Sequence, residues 1–258
     1  MFNLVSSTSF SEAKLPNKEN QDSIIPVRKL DHGYLFAVAD GVGSYLGAKQ
    51  ASYTVINELE KVNSITRDTV DLLFTRLKKS VSTISDDDSN LSQAATTLTF
   101  GYFCEDGLYI GHIGDCRLYI KNNNKLIQLT HDHTQHQKLL DEGIYTKQEI
   151  SKLPGKNIIT TAISKYIDMN YDGILIPFSE ISTYKENNEI ILYIMSDGAY
   201  HFWDKRKRFS ERTMNDVNKF SISLKNRIQK DPIDDYSLVG VQFRLQEQEY
   251  KKPPALNS

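Results

Sequence analysis

Three short apolar runs in this chain each stop at an aspartate beside a glycine: Tyr34 to Asp40-Gly41, Leu108 to Gly114-Asp115, and Ile190 to Asp197-Gly198. Their β-branched and aromatic residues mark buried strands. A carboxylate at the end of a buried strand is costly unless something neutralises it. One such residue reads as a turn or helix cap. Three of them, with Asn20-Gln21-Asp22 and Asp234-Asp235, read as acids that converge where strand ends share an edge of a sheet.

Further strands are expected at Thr96–Phe103, Cys116–Lys121, Leu126–Leu129, Gly173–Ile181 and Tyr236–Leu245. Between the first aspartate and these strands, Ala48, Ala51, Val55, Leu59 and Val62 recur at helical spacing. So do Val70, Leu73, Leu77, Val81 and Ile84, with Thr66 placed to cap the start and Asp68 suited to the first turn. A third helix is expected over Met214–Ile228. Paired helices without an intervening strand exclude a Rossmann crossover, and strands that neighbour in sequence favour α+β. Two stacked antiparallel sheets flanked by helices absorb this inventory. Residues 1–246 are expected to form one domain, with 247–258 a flexible tail.

The composition narrows the setting. With 258 residues, 39% hydrophobic and 25% charged, the chain has the balance of a soluble globular domain. A net charge of −2 gives no general attraction for nucleic acid or an anionic membrane. The two cysteines, Cys104 and Cys116, lie in strand-like stretches and suit a reducing, cytoplasmic location. No signal peptide and no membrane span is expected.

Clustered carboxylates repel one another without cations. Oxygen-only ligands of this type suit Mg²⁺ or Mn²⁺, and no paired cysteines or histidines offer a zinc alternative. Gly41 lets the backbone approach an ion and can lend its carbonyl.

The motifs and their order resemble the type 2C, metal-dependent serine/threonine protein phosphatase family from about Asn17 to Phe243. The resemblance rests on Asn20-Gln21-Asp22, Asp40-Gly41-Val42-Gly43-Ser44, Ala95-Thr96-Thr97, Gly114-Asp115-Cys116-Arg117, Leu129-Thr130-His131-Asp132-His133-Thr134, Ser196-Asp197-Gly198 and Asp234-Asp235. It implies a four-layer α-β-β-α sandwich and a single-domain enzyme like the bacterial members. It also implies two Mn²⁺ or Mg²⁺ ions, held by Asp22, Asp40, the Gly41 carbonyl, Asp197 and Asp234, with Asp115 serving a third, weaker position. Asp40, Asp197 and Asp234 are the implied catalytic residues. The implied reaction is attack of a metal-activated water on phosphoserine or phosphothreonine, with no phosphoenzyme. The implied partners are a phosphorylated protein substrate and a counteracting kinase.

Several positions depart from the family pattern. The phosphate-binding arginine is missing, leaving Lys14 and Lys18 as candidates, each a point charge rather than a bidentate fork. Gln21 stands where a metal-binding glutamate is common, Val42 where animal members carry a histidine, and Ser44 where a glycine is usual. These departures motivate an alternative, a pseudophosphatase that binds phosphoproteins without turnover. A dinucleotide-binding reading of Gly41-Val-Gly43 is opposed by Asp40, which would repel a pyrophosphate.

Four other features have bland readings. His112, inside an apolar strand, reads as a core histidine. Near His131, His133 and His136, Asp132 reads as an anchor that caps the turn. Gln137–Gly143 and Thr146–Leu153 read as two short helices of a flap, followed by a strand at Asn157–Ile163. Lys205-Arg206-Lys207-Arg208, with Arg212, reads as a solvated loop or a contact for an acidic phosphoprotein.

Overall fold

The structure, a computed structural model, describes residues 2–43, 45–155 and 158–246. Ser44, the start of the strand expected at Asn157 and the tail Glu247–Ser258 lie outside the described residues. Along the chain run β1 (Phe2–Glu12), β2 (Asp22–Leu30), β3 (Gly33–Asp40), α1 (Ala48–Glu60), α2 (Arg67–Ser82) and α3 (Ile84–Asp87). Next come β4 (Ala95–Thr96), β5 (Leu98–Cys104), β6 (Gly107–Ile113), β7 (Arg117–Asn122), β8 (Lys125–Gln128), α4 (Gln135–Asp141) and α5 (Lys147–Ile150). The chain continues through β9 (Ile163–Ser164), β10 (Asp172–Pro177), α6 (Phe178–Ile181), β11 (Glu189–Met195), α7 (Asp197–Lys205), α8 (Glu211–Met214), α9 (Val217–Ile228) and β12 (Tyr236–Leu245).

Two antiparallel five-stranded sheets form, ordered β1-β12-β11-β7-β8 and β10-β6-β5-β3-β2, with a small β4-β9 pair beside them. The period of two along each strand builds the layers. In β3, Phe36 and Val38 point between the sheets, while Leu35, Ala37 and Ala39 pack with α1 and α2. In β11, Ile190, Leu192 and Ile194 enter the same inter-sheet core, while Ile191, Tyr193 and Met195 join α7 and α9 on the other side. Strands buried on both faces read as continuous apolar runs, and this explains their clear sequence signal. The layers are therefore helix, sheet, sheet and helix, as expected.

Several element expectations need correction. The helix expected over Met214–Ile228 is two, because the Asp216 carboxylate accepts from the Asn218 and Lys219 amides and starts α9 afresh. The strand expected over Gly173–Ile181 ends at Pro177, and Phe178–Ile181 turn into α6. Of the strand expected over Asn157–Ile163, the described part is a bridge at Ile159 and the two residues of β9. The flap helices form as α4 and α5, capped by the Thr134 and Thr146 hydroxyls. β1, β2 and α7 are additional elements with no counterpart in the sequence reading.

Candidate active site

The acid-bearing segments meet at one end of the sandwich, where both sheets contribute strand termini. Asp22 opens β2 and Asp40 closes β3, and the antiparallel register sets them directly opposite one another. Asp197 follows β11 as the first residue of α7, where the helix dipole favours a negative charge. Asp234 precedes β12, and Asp115 sits in the turn between β6 and β7. These acids border a cleft of about 420 Å³ lined by Gln21, Asp40, Gly41, Val42, Gly43, Thr97, Asp115, Ile159, Asp197, Asp234 and Asp235.

Five of the six proposed metal residues thus line one cleft. The sixth, Asp22, lies beneath its floor with 1% of its surface exposed. Lys14 and Lys18 are exposed, and neither lines the cleft. Among the described residues, no lysine, arginine, histidine or cysteine lines it.

Local sequence explains how the acids are held. The Thr97 hydroxyl accepts the Asp40 amide at 3.0 Å, while the Thr97 amide and the Thr96 hydroxyl donate to the Asp40 carbonyl at 2.8 and 2.9 Å. The Ala95-Thr96-Thr97 motif is therefore a backbone clamp on Asp40. Ser196 donates its hydroxyl to Asp22 Oδ2 at 2.8 Å and accepts the Ser237 amide at 2.8 Å. Gly114 has a left-handed φ of 102° that aims Asp115, and a Cβ there would lie 2.4 Å from Thr97 Cγ2. A Cβ on Gly198 would sit 2.0 Å from the Asp235 carbonyl oxygen, so only glycine lets α7 start this close to the Asp234-Asp235 turn.

Asp235 is a residue whose role the sequence reading did not assign. Its Oδ1 accepts the Lys14 amide at 2.8 Å and its Oδ2 accepts the Gln21 amide at 2.7 Å. The Gln21 carbonyl in turn accepts the Gly41 amide at 3.3 Å and the Ser52 hydroxyl at 2.6 Å. One carboxylate thus ties the loop before β2 to the entry of β12. These partners lie more than 200 positions apart, and no local signal announces them.

Charge in the site is unbalanced. Burial raises the Asp22 carboxyl to about 7, aided by the charges of Asp197 and Asp235 and opposed by the hydrogen bond from Ser196. Burial also raises Asp40 well above the usual carboxylate range, with Asp22, Asp197, Asp115 and Asp234 adding repulsion. Asp115 rises to about 8 through burial and the charges of Asp197 and Asp132, offset in part by Arg117. Asp22 Oδ1 is buried without a hydrogen-bond partner among the described residues. Such an orphaned oxygen among mutually repelling acids is the environment a cation completes.

The donor set is all oxygen, which fits a hard divalent ion. Among the described residues no three acidic, imidazole or thiol side chains converge into a ready-made cage. A lined cleft without a cage suits Mg²⁺-type binding, in which one or two carboxylates hold an ion that keeps several waters.

The neighbouring histidines and Asp132 are structural. His112 is fully buried, with Nε2 donating to the His131 carbonyl at 2.8 Å and Nδ1 facing the Thr99 hydroxyl at 2.8 Å. Asp132 does anchor its segment, but through a two-pronged ion pair with Arg117 and a bond from Gln128 rather than by capping a turn. Arg117 also reaches Asp204 at 2.8 Å and stacks 3.7 Å above the Tyr200 ring.

The sequence profile described as Protein phosphatase 2C matches residues 15–230. The chain belongs to the protein phosphatase 2C family. Among curated relatives, the serine/threonine phosphatase stp of Listeria welshimeri is 26% identical over 220 residues, covering 82% of this chain and 77% of its own. The crystal structure of serine/threonine phosphatase Stp1 from Staphylococcus aureus superposes with a TM-score of 0.77 at 17% identity, covering 95% of this chain and 96% of that one. The catalytic domain of the phosphatase PstP, solved with two manganese ions, gives a TM-score of 0.69 at 21% identity, covering 95% of this chain and all of that one. At these identities the two structures speak to the fold, and this family member shares its sandwich with them.

Proposed function

We propose that this phosphatase 2C family member hydrolyses phosphoserine or phosphothreonine in proteins with the help of divalent metal ions. The observation that carries the reading is the opposition of buried Asp22 and half-buried Asp40, with Asp22 Oδ1 lacking a partner among the described residues beneath the floor of an all-oxygen acidic cleft. The manganese ions in the PstP structure and the serine/threonine names of the relatives support the same reading.

Asp22, Asp40, the Gly41 carbonyl, Asp197 and Asp234 are the proposed ligands of two Mn²⁺ or Mg²⁺ ions, and Asp115 of a third and weaker one. When bound, such ions lower the pKa of water and neutralise charge on a phosphoryl group. The protein's own part is positional. Thr96 and Thr97 fix the Asp40 backbone, Ser196 orients Asp22, and the start of α7 aims Asp197 into the cleft. Val42 brings no proton donor, and among the described residues no cysteine or histidine lines the cleft to act as nucleophile or acid. A phosphorylated protein as substrate implies a kinase that opposes the enzyme.

The test is phosphate release from a phosphothreonine peptide with Mn²⁺, with Mg²⁺ and with excess chelator, beside Asp197→Asn. Metal-dependent release that the variant lacks is the expected result. A second reading, a phosphoprotein-binding pseudophosphatase, draws on the cleft's lack of a lining cation among the described residues. Mn²⁺ binding by calorimetry with no turnover on several peptides would favour it.

A further inference from the structure

The segment from Lys205 to Arg212 leaves the end of α7 carrying five cations, Lys205, Arg206, Lys207, Arg208 and Arg212, against the acids Asp204 and Glu211. An exposed basic loop ordinarily moves freely in solvent. This one is held at two points. The Arg227 guanidinium donates to the carbonyls of Phe202 at 3.0 Å, Arg206 at 2.7 Å and Arg208 at 3.2 Å. Phe209 tucks inward against Trp203 and Phe220, and the Arg227 group lies 4.2 Å over its ring.

With its carbonyls drawn inward, the loop exposes its cationic side chains. Lys207 pairs with Asp204 at 3.0 Å, and Lys205 lies over the Phe202 ring. Among the described residues, Arg206, Arg208 and Arg212 form no ion pair with an acid. Asp204, which Lys207 engages, is also committed to Arg117. The half-buried Arg227 has its pKa lowered by burial and then by the charge of Arg206, so the loop's cations gather beside a guanidinium that their own charge disfavours. A polyanion relieves that strain.

We propose that the Lys205–Arg212 segment, from the last residue of α7 through the loop into α8, is a docking surface for an acidic segment of the phosphoprotein substrate, an inference that rests on the phosphatase reading above. The loop begins about 12 Å along α7 from Asp197 in the cleft, a span that about four extended residues cover. The acidic segment therefore lies about four residues from the phosphorylated side chain, close enough for one substrate to engage both. An acidic protein segment suits the surface better than nucleic acid does, because α7 ties the loop to the proposed phosphoresidue cleft.

The test compares a phosphothreonine peptide bearing four glutamates, starting four residues from the phosphothreonine, with its glutamine counterpart. It uses the full chain and the triple variant Arg206→Gln/Arg208→Gln/Arg212→Gln. The glutamate peptide is expected to show a KM lower by about tenfold at low salt, from three exposed charge contacts. The kcat should be unchanged, and the variant should lose the preference while hydrolysing p-nitrophenyl phosphate at the wild-type rate. Equal KM values for the two peptides, or a preference that survives in the variant, would overturn the proposal. If no peptide is turned over, the phosphatase reading fails and fluorescence anisotropy of the labelled glutamate peptide decides the docking claim separately. Salt-sensitive binding that the variant lacks supports docking. Equal binding of the two peptides, or tighter binding of RNA or phosphatidylserine vesicles, overturns it.

Discussion

Asp22 and Asp40 face one another across the β2–β3 ladder, two carboxylates in register on neighbouring strands, with Asp22 Oδ1 buried and unpartnered among the described residues. Like charges directly opposite destabilise an antiparallel pair, by up to about 1 kcal/mol when exposed. In chelator, Asp40→Asn should therefore melt above the wild type by about 2–4 °C for each kcal/mol relieved. The same variant should lose phosphate release in Mn²⁺. A melting temperature below the wild type in chelator would show that Asp40 supports the fold rather than straining it.

Divalent ions should reverse that ranking. A ligand that binds only the native state stabilises by about 2.7 kcal/mol at a hundred times its Kd. Wild-type protein titrated with Mn²⁺ should show a rising melting temperature, and Asp197→Asn should show a smaller rise at the same concentration. Parallel curves for the two proteins would remove Asp197 from the ion site.

The Asp235 carboxylate holds two amides at once, and an amide side chain offers only one oxygen. Asp235→Asn should speed hydrogen exchange at the Lys14 and Gln21 amides while strands β11 and β12 keep their protection. It should also weaken Mn²⁺ binding measured by calorimetry, because the Gln21 carbonyl bonded to Gly41 is released with the loop. Unchanged exchange at both amides would refute the tie.

Tyr193 buries a hydroxyl without a hydrogen-bond partner among the described residues, packed 4.3 Å from the Phe220 ring. An unsatisfied buried polar group costs about 1–3 kcal/mol. Tyr193→Phe should raise the urea midpoint without altering its slope. A lower midpoint would mean that the hydroxyl is satisfied in solution.

His112 gives a pH signature. Burial first, and then the nearby His133, lower it from 6.5 to about 3. His131 and Asp172 also face the pair, Asp172 through its 3.2 Å contact with His133. The unfolded chain then binds the proton more readily than the native one. The stability due to neutral His112 is complete above pH 6.5 and falls by about 1.4 kcal/mol per unit toward pH 3. The raised cleft acids push the other way, so the readout is the difference between wild type and His112→Gln in urea unfolding at pH 7, 6, 5 and 4. A difference that does not change with pH would show that His112 titrates normally.

Much of the architecture was legible where burial on both faces writes an unbroken apolar run. β12 begins and ends where its sequence pattern does, and β3, β6 and β11 agree to within a residue. β1 stayed hidden because serine and threonine occupy many of its positions and one face meets solvent. β2 was masked by Pro26 and the charged Arg28-Lys29. α7 opens with Asp197-Gly198, which reads as a turn until the contact with Asp235 explains the glycine. The cleft acids were legible because a charge ending a buried strand is an anomaly in one dimension. The clamps around them, Thr97, Ser196 and Asp235, are ordinary polar residues whose partners are fixed only by the fold.

Ser196 has a wider consequence. It follows β11 of one sheet, accepts the Ser237 amide from β12 beside it, and donates a hydrogen bond to Asp22 of the opposite sheet. Across most of their area the sheets meet through side-chain packing, which resists separation better than it resists sliding. At the cleft end the Ser196 hydroxyl acts as a rivet against shear, beside the Asp235 tie, and couples the acids on either side of the seam.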